Sequence, residues 1–563
     1  MRSQTLLAAL ALIEFGAAGP CKPSSRSTAS SAFLASSVPT ADPVETSTTV
    51  QNYQTTVKSR SVTLSIETVT DSTANGVSSV PTIDVSEMSA NVKNEETIVS
   101  LSATLSVIKK EKRIASAWEQ NLNTSQRMAN NSKRVTMPRL AQVLFAAGAT
   151  LIGLTSAQCN LTPTASIATA DGVEQKLLRT GLQRPRHLVV DTEGNLLIAE
   201  SGNKGVRRVV LDDGKDLDVC IDSDDALISD ADLNHGIALT ADGKTILVSS
   251  PSEVYAYDYD ASKGSVGSRR TVITGMDGSA THSTRTLTIP LAGNPNLLLV
   301  AGGSDGNLDA ATVDKNVVRS QVRVFNIDEL LSADAPLDYG KASLLGWGLR
   351  NSVGWAEDPS TGYIWSVENS VDNLYRGDVD IHNSNPGEEF NFHGLPNDTS
   401  SAQYGANYGY PGCFAIYDTT NVKDYPGGAE VGKQMAATPR GETDLGFTDE
   451  ECQEKQAPRI TFGSHLAPLD VKFRDGSAAY ISFHGSWNRN PGDGYRVSKV
   501  DFANGEPVSS SKDGKAEVPL MWNTDNTKCP SGCFRPAGLA FDKAGRLFMT
   551  SDSTGELYVL TGV

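Results

Sequence analysis

Residues 184–201 read RPRHLVVDTEGNLLIAES, and this stretch decides the fold. A basic start leads into a short aliphatic run, then a turn that contains Asp and Gly, then a second aliphatic run. That order is typical of two antiparallel strands joined by a tight hairpin turn. The pattern recurs five more times, at residues 234–250, 282–303, 350–369, 465–485 and 535–553. Amphipathic helices of the length that a parallel α/β fold needs do not separate these segments, so we expect an all-β fold.

The spacing of the six segments predicts a closed ring. Successive starts lie 50, 48, 68, 115 and 70 residues apart. A four-stranded propeller blade takes roughly 40–50 residues, so the longer gaps imply inserted loops. The segment QKLLRTGL at 175–182 can supply the outer strand of the last blade, and this closure removes exposed sheet edges. The sequence therefore predicts a six-bladed β-propeller with inserted loops.

The region before the ring has a different character. Residues 1–136 are rich in Ser and Thr without strand or helix periodicity, which predicts a low-complexity, disordered segment. Residues 137–157 combine one basic residue, an apolar run and a small-residue end, the layout of a secretory signal peptide. We therefore interpret 1–136 as the product of a misplaced gene start and expect a secreted, extracellular propeller domain at 158–563. The glycan acceptor sites at Asn160 and Asn397 agree with export.

Charge narrows the range of partners. Residues 158–563 carry 35 basic and 55 acidic residues, which gives a strongly negative net charge. Such a surface repels phosphate backbones and anionic lipids, so we expect a monomer that binds neither nucleic acid nor a membrane. Any anionic ligand must then be held by a local arginine cluster.

Cysteine usage also indicates export. Six cysteines fall in the propeller region, and an even set in an exported chain is typical of disulfides. The short spacing of Cys529 and Cys533 permits a small closed loop. We expect the other pairs to be Cys413–Cys452 and Cys159–Cys220. A zinc site is the rival interpretation, and it is disfavoured because no second CxxC or His pair accompanies the short loop.

Polar residues are concentrated at the starts of the six segments. In a propeller the first strand of each blade lines the central channel, so these starts converge on one mouth of it. Packing alone predicts small or apolar residues at such a crowded place. The residues present are instead Arg184, Arg186, His187, Asn234, His235, His282, Arg285, Arg350, Asn351, His465 and Arg535. We interpret this set as a binding site for an anionic ligand.

Several longer stretches carry a family resemblance. They are LRNSVGWAEDPSTGYIWSVENSVDNL at 349–374, GEEFNFHG at 387–394, NYGYPGCF at 407–414, FGSHLAPLDVKF at 462–473, FHGSWNR at 483–489 and CFRPAGLAFDKAGRLFMTSDSTGELY at 533–558. In this order they resemble the soluble quinoprotein glucose/sorbosone dehydrogenases, in particular their fungal pyranose dehydrogenase domains, over nearly all of 170–563. The resemblance implies a pyrroloquinoline quinone (PQQ) cofactor, a calcium ion and oxidation of an aldose or 2-keto aldose by hydride transfer to the quinone.

The resemblance also assigns cofactor contacts. PQQ is a flat quinone with three carboxylates, and guanidinium groups pair with carboxylates through two hydrogen bonds. The implied contacts are Arg186 (or its neighbour Arg184), Arg350, Asn351, His465, Trp487, Asn488 and Arg535. Arg350 and Asn351 would touch the quinone oxygens, and Trp487 would supply a flat surface. His465 would contact a PQQ carboxylate or the substrate.

The metal and the catalytic base follow from the same resemblance. Calcium prefers oxygen ligands, including main-chain carbonyls. The implied carbonyls are those of Ser370 and Val371, and Asp372 would help through a water molecule. His282 corresponds to the catalytic histidine, because a neutral imidazole can take the proton of a sugar hydroxyl. Asp305 is the expected carboxylate that orients this imidazole.

Two other functions fit a propeller with a polar channel mouth. A calcium-dependent lactonase would hold its metal with several side-chain carboxylates, whereas these segment starts supply Arg and His. A non-catalytic binding propeller of the cell wall would need no arginine cluster. The sequence shows no haem domain after the last strand pattern, so the dehydrogenase interpretation expects a separate electron acceptor, such as a cytochrome domain or a copper oxygenase.

Overall fold

The computed structural model describes residues 161–212 and 214–563. The expected low-complexity segment 1–136, the expected signal peptide 137–157, and the residues Cys159 and Asn160 all lie outside the described residues. Within the described part, strands dominate and helices are few and short, which confirms the all-β prediction. No helix in these two ranges has the length and apolar character needed to cross a membrane.

The strands form six main sheets, numbered here in chain order, each built on four antiparallel strands. Sheet 1 contains Pro185–Val190, Leu196–Glu200, Gly205–Leu211 and Ile221–Ile228. Sheet 2 contains Ile237–Leu239, Thr245–Ser249, Val254–Asp260 and Arg270–Thr274, with short edge strands Ser265–Val266 and Leu337–Asp338. Sheet 3 contains Arg285–Thr288, Leu297–Gly302, Gln321–Asn326 and Ser343–Trp347, with the edge strand Ala406–Asn407.

The remaining main sheets follow the same plan. Sheet 4 contains Ser352–Glu357, Ile364–Glu368, Glu388–Gly394 and Ile460–Phe462. Sheet 5 contains Pro468–Phe473, Ala478–Phe483, Arg496–Ala503 and Val518–Asn523, with edge strands Ile167–Thr169 and Glu506–Pro507. Sheet 6 contains Pro536–Phe541, Leu547–Ser551, Glu556–Thr561 and Glu174–Arg179. Each repeated sequence segment supplies the first hairpin of its sheet, because its turn reverses the chain between two aliphatic runs.

The six sheets are arranged around a centre. The first strand of each sheet contacts the first strand of the next, and the first strand of sheet 6 contacts that of sheet 1. The early strand Glu174–Arg179 pairs with the last strand, Glu556–Thr561, as the predicted closure requires. Pairing between the two ends of the domain covers a sheet edge that would otherwise be open to other chains.

Apolar side chains fill the spaces between neighbouring sheets. One buried cluster lies between each consecutive pair, including sheets 6 and 1. Between sheets 4 and 5, the ring of Trp365 is fully buried and packs against Phe390, Phe392 and Phe502 at centroid distances of 4.9–5.1 Å. These faces hold the sheets in a fixed order and thereby fix the positions of the loops at their ends.

The long gap between the fourth and fifth segments contains a separate loop region. Its small sheets are Leu374–Arg376 with Val379–Asp380 and Thr438–Pro439, and Cys413–Ala415 with Gln434–Ala436. Short helices in the described residues are Asp216–Asp218, Ala310–Val313, Ile327–Ser332, Tyr339–Lys341, Asp449–Gln453 and Asn526–Lys528. The predicted disulfides Cys413–Cys452 and Cys529–Cys533 are both formed. Cys220 is disulfide-bonded.

Candidate active site

A cavity of about 280 Å³ opens where the starts of several first strands meet. Its lining comprises His282, Arg350, Asn351, Asn369, Ser370, Asp372, Glu388, His465, Ala467, Leu469, His484, Gly485, Ser486, Trp487 and Arg535. Eight of the predicted site residues are in this set, and they come from loops of sheets 3, 4, 5 and 6. Four of the predicted residues are not: Arg186, Asp305, Val371 and Asn488. The ring geometry therefore brings together most of a set that is scattered over 250 residues of sequence.

Arg350 is the most completely bonded residue of the cavity. Its guanidinium donates to Asn307 O (3.1 Å) and Oδ1 (2.9 Å), to Asn369 O (3.2 Å), to Ser370 O (2.6 Å) and to Asp372 Oδ2 (3.4 Å). A guanidinium has five N–H donors, so every donor already has a protein acceptor. The cofactor contact of Arg350 stays a prediction, and in the ligand-free arrangement this guanidinium organises the 369–372 loop.

Arg535 retains donors for a ligand. Its Nε donates to His484 O (2.9 Å) and its Nη2 to Gly485 O (2.8 Å), while its guanidinium lies 5.7 Å from the Tyr495 ring centroid. Both N–H groups of Nη1 remain available to the cavity. No carboxylate among the described residues forms a salt bridge with Arg535. The position of this side chain agrees with the prediction of an anion contact.

His282 is held by Ser304. The ring Nδ1 lies 3.1 Å from Ser304 O and 2.9 Å from Ser304 Oγ. A backbone carbonyl can only accept, so Nδ1 carries the proton and Nε2 keeps its lone pair. Burial, with the positive charge of Arg350 as the second cause, lowers the pKa of His282 to about 3. The ring is therefore neutral at physiological pH.

The predicted Asp305–His282 contact is not made. Asp305 is exposed, and its Oδ1 accepts from the backbone N–H (3.1 Å) and the hydroxyl (3.0 Å) of Thr281. The carboxylate therefore fixes the turn just before His282 and acts on the ring only through its charge, which raises the pKa of His282 against the larger effect of burial.

His465 sits in a tight turn beside the cavity. His465 and Ala467 both adopt left-handed backbone conformations, with φ of 58° and 53°. The buried Glu388 stabilises this turn by accepting from the Ala467 N–H (3.1 Å). His465 Nε2 donates to the backbone carbonyl of His382 (2.7 Å), so only Nδ1 is left toward the cavity, 3.6 Å from Asp372 Oδ1.

The predicted metal loop lies against Arg350. The carbonyl of Ser370 accepts from the guanidinium, and its N–H donates to Glu388 Oε2 (2.7 Å). Asp372 faces both Arg350 and His465. Val371 lies outside the cavity lining, and its side chain is fully buried in the apolar cluster that contains Leu374 and Tyr410. No cluster of three or more His, Cys, Asp or Glu side chains suited to a metal occurs within 161–212 and 214–563.

Trp487 and Asn488 differ in how far their side chains are open to a ligand. The Trp487 side chain is 67% exposed and borders the cavity, so its ring offers a flat apolar surface to a ligand. Asn488 instead pairs with Asn373, through Asn373 N to Asn488 Oδ1 and Asn488 Nδ2 to Asn373 Oδ1, both at 2.9 Å. The amide of Asn488 thus joins two loops, and its cofactor contact stays a prediction that this pairing does not favour. The side-chain amide of Asn351 lines the cavity without a hydrogen-bond partner among the described residues.

Arg186 lies behind the cavity wall. Its Nη1 donates to Asp552 Oδ2 (2.7 Å) and its Nε lies 3.4 Å from His235 Nδ1. Arg186 pairs with this carboxylate and does not line the cavity, so its predicted direct cofactor contact stays a prediction that the ligand-free geometry does not favour. Arg184, the alternative, is exposed and also lies outside the lining. Arg285 is buried, and its guanidinium donates to the carbonyls of Asp277, His282 and Thr284.

Sequence reasoning missed four polar lining residues: Asn369, Glu388, His484 and Ser486. His484 and Glu388 stand in FHGSWNR and GEEFNFHG, so both were within stretches that carried the resemblance. Neither begins a first strand, and the argument from strand starts could not select them. Burial raises the pKa of Glu388 to about 7, although its two backbone hydrogen bonds oppose the shift.

Comparisons with known proteins identify similar sequences. A pyrroloquinoline quinone-dependent sugar dehydrogenase of Hypocrea jecorina is 44% identical over 396 residues, which cover 69% of this chain and 88% of that protein. A pyrroloquinoline quinone-dependent pyranose dehydrogenase of Coprinopsis cinerea is 35% identical over 411 residues, which cover 69% of this chain and 54% of that protein.

Solved structures give the same result. The calcium structure of a Trichoderma reesei enzyme of Carbohydrate-Active Enzymes Family AA12 is similar with a TM-score of 0.68 and 43% identity, over 72% of this chain and 99% of that one. The holo form of the pyranose dehydrogenase PQQ domain from Coprinopsis cinerea gives a TM-score of 0.64 and 32% identity, over 71% of this chain and 98% of that one. The TrAA12-like family model matches residues 167–563. The predicted family resemblance is thus confirmed, and the chain belongs to the TrAA12-like family.

Proposed function

We propose that this protein is a PQQ- and calcium-dependent dehydrogenase that oxidises an aldose or 2-keto aldose and passes the electrons to a separate acceptor. The observation that carries the proposal is the composition of the cavity. It combines a cation with free donors (Arg535), an exposed flat ring (Trp487) and a neutral imidazole with a free lone pair (His282). The names of the relatives, which are PQQ-dependent sugar and pyranose dehydrogenases, support it.

The cavity residues fit a flat, anionic cofactor. Arg535 offers guanidinium N–H groups to a carboxylate, and the unpartnered amide of Asn351 can donate to a carbonyl oxygen. Trp487 can cover a face of a ring system. The cavity volume, about 280 Å³, is near the lower end of that usual for small-molecule sites. PQQ would supply a quinone that accepts a hydride.

The 369–372 loop fits a hard cation. The carbonyl oxygens of Asn369 and Ser370 and the carboxylate of Asp372 are the donor types that calcium prefers, and here they converge on the positive charge of Arg350. A calcium ion held by Ser370, Val371 and Asp372 would compete with the Arg350 guanidinium for the Ser370 carbonyl and the Asp372 carboxylate. A guanidinium N–H displaced in this way would be available to the cofactor, as the family resemblance implied.

His282 is proposed as the catalytic base. Ser304 fixes the tautomer in which Nε2 can accept the proton of a sugar hydroxyl. In the ligand-free protein, burial and Arg350 make His282 a weak base. An anionic ligand in the cavity offsets the charge of Arg350 and raises the pKa of His282. The base therefore becomes stronger when the cofactor site is filled.

Binding and turnover can be measured separately. We expect PQQ with calcium to bind the purified protein, with the quinone absorbance as readout, and sugars to reduce a dye acceptor. His282→Asn should bind PQQ as wild type does and lose turnover. His382→Asn is the matched control, because the His382 side chain lies outside the cavity lining, and it should remain active. Substantial turnover by His282→Asn would move the base to another residue, such as His465.

The alternative functions predict different outcomes. A calcium-dependent lactonase would hydrolyse lactones without PQQ. The cavity does not favour it, since its two carboxylates, Asp372 and Glu388, already contact Arg350 and backbone N–H groups. A binding propeller would show neither activity. Failure of PQQ to bind the wild-type protein would refute the dehydrogenase proposal.

We also propose that the six sheets form a six-bladed propeller, and that the protein is exported as a monomer. The cyclic contacts of the first strands support the propeller, and the disulfides and the exposed position of Asn397 support export. N-terminal sequencing of the secreted protein should find Gln158 at the mature end. A mature end far upstream of Gln158 would contradict the proposed start at Met137.

A further inference from the structure

A buried chain of polar side chains stands behind one wall of the cavity. His484 lines the cavity, and its Nε2 lies 2.7 Å from Asp552 Oδ1. The other carboxylate oxygen, Oδ2, accepts from Arg186 Nη1, also at 2.7 Å. The side chains of His484, Asp552 and Arg186 are only 17%, 8% and 12% exposed. They come from sheets 5, 6 and 1, so the ring closure itself assembles this arrangement.

Asp552 determines which nitrogen of His484 carries a proton. Burial opposes ionisation of Asp552, but His484 and Arg186 outweigh it and hold the pKa of the carboxyl far below its usual range. An ionised carboxylate only accepts hydrogen bonds, so Nε2 of His484 is the donor and Nδ1 has the lone pair. Nδ1 has no hydrogen-bond partner among the described residues, yet it is not buried. Because His484 lines the cavity, this accessible nitrogen faces the cavity.

Arg535 shares this wall with His484. The Arg535 Nε donates to the backbone carbonyl of His484, which places the guanidinium beside the imidazole. Arg535 and Arg186 each carry a positive charge and Asp552 a negative one, so the wall is positive even when His484 is neutral. Nη1 of Arg535 and Nδ1 of His484 are both open to the cavity. Two neighbouring groups of this kind can bind one carboxylate, provided that Nδ1 carries a proton.

We infer that His484 and Arg535 bind one carboxylate of the cofactor together, and that Asp552 enables His484 to do so as an imidazolium, so that cofactor binding takes up one proton from solvent. This inference rests on the proposed function, which supplies a ligand with carboxylates. His484 and Arg535 touch the ligand, whereas Asp552 and Arg186 are positioning residues. A histidine without Asp552 behind it would have to carry its charge between two arginines.

The charges around His484 favour the uptake of a proton by this residue when the cofactor binds. Asp552, Arg535 and Arg186 are its nearest charged neighbours, and Arg350, Asp372, Glu388, His282 and His465 face the same cavity. In the ligand-free protein burial lowers the pKa of His484, and the two arginines act in the same direction against Asp552. A ligand carboxylate adds a second negative charge at Nδ1, which favours the imidazolium.

Calorimetric titration with PQQ in the presence of calcium tests the inference. At neutral pH, the dependence of the binding enthalpy on the ionisation enthalpy of the buffer gives the number of protons taken up. We expect about one proton for wild type, for His282→Asn and for His465→Asn, because these two variants each remove one of the other imidazoles that face the cavity. His484→Gln and Asp552→Asn should take up none and should bind PQQ about tenfold or more weakly.

A second measurement does not depend on affinity. The ¹⁵N resonances of histidine, assigned with His484→Gln, should show the Nε2–H tautomer of His484 in the free protein and the imidazolium after PQQ is added. Uptake by wild type that persists in His484→Gln, or a neutral His484 in the complex, would overturn the inference while leaving the proposed function intact. Absence of PQQ binding to wild type would overturn both.

Discussion

Arg350→Lys separates two roles of this arginine. Arg350 is 5% exposed, and its guanidinium donates to five acceptors from Asn307, Asn369, Ser370 and Asp372. A lysine ammonium keeps the positive charge but has only three N–H donors, so at least two acceptors lose their partner. A hydrogen bond from a charged donor contributes about 1.5–3 kcal/mol. We therefore expect Arg350→Lys to lower the free energy of unfolding of the ligand-free protein by roughly 3–6 kcal/mol.

The assay is urea unfolding of the ligand-free protein, followed by the fluorescence of its tryptophans. Arg535→Lys is the matched control. Arg535 donates to only two carbonyls, those of His484 and Gly485, which an ammonium can also reach, so its stability should fall by about 1 kcal/mol or less. If Arg350→Lys were as stable as wild type and lost only PQQ affinity, Arg350 would be a direct cofactor contact and not an organiser of the 369–372 loop.

Three further predictions concern other parts of the molecule. Burial lowers the pKa of His393 to about 3 from 6.5, so the unfolded state alone binds its proton as the pH falls below 6.5. Wild type should thus lose about 2 kcal/mol of stability between pH 6.5 and about pH 4.5 that His393→Asn does not lose, and equal slopes of stability against pH would contradict this. Replacing Cys413 and Cys452 together by Ser removes a disulfide that joins residues 39 positions apart. It should lower the free energy of unfolding, measured with denaturant, by about 4 kcal/mol, and a change below about 1 kcal/mol would show that the disulfide adds little stability. Trp487→Ala should leave the ligand-free stability unchanged because the ring is largely exposed, but raise the Kd for PQQ about two- to tenfold; unchanged affinity would remove Trp487 from the cofactor surface.

The hairpins of the ring could be predicted because their information is local. Each first hairpin needs two aliphatic runs and a turn residue that tolerates the reversal, and all of these stand within about 20 residues. The closing strand Glu174–Arg179 was also predictable, since a ring leaves one place for it. The edge strand Ile167–Thr169 could not be predicted, because three residues are too few to show a strand pattern. Its pairing with Val518–Asn523 depends on the unpaired backbone groups at the edge of sheet 5.

The convergence of the site could be predicted for a related reason. Residues at equivalent positions of a closed repeat are brought to one place, so His282, His465 and Arg535 meet although they are far apart in sequence. The hydrogen-bond partner of a given imidazole could not be predicted. Asp305 and Ser304 are neighbours in sequence, and the direction of the backbone at the strand end decides which of them contacts His282. Ser304 contacts His282 Nδ1, whereas Asp305 accepts from Thr281.

Arg350 and Arg535 show where sequence reasoning stops. Both begin a repeat segment, both line the cavity, and sequence alone gives them the same role. Their difference lies in the backbone around them: the 369–372 loop presents two carbonyls and a carboxylate to Arg350, whereas Arg535 meets two carbonyls on one side only. A sequence reports that a charge is present. Whether its hydrogen-bond donors are free depends on carbonyl groups that every residue possesses, and only the folded path of the chain decides which of them point at the charge. For this reason the free donors of Arg535, more than the number of arginines, define the anion-binding part of the cavity.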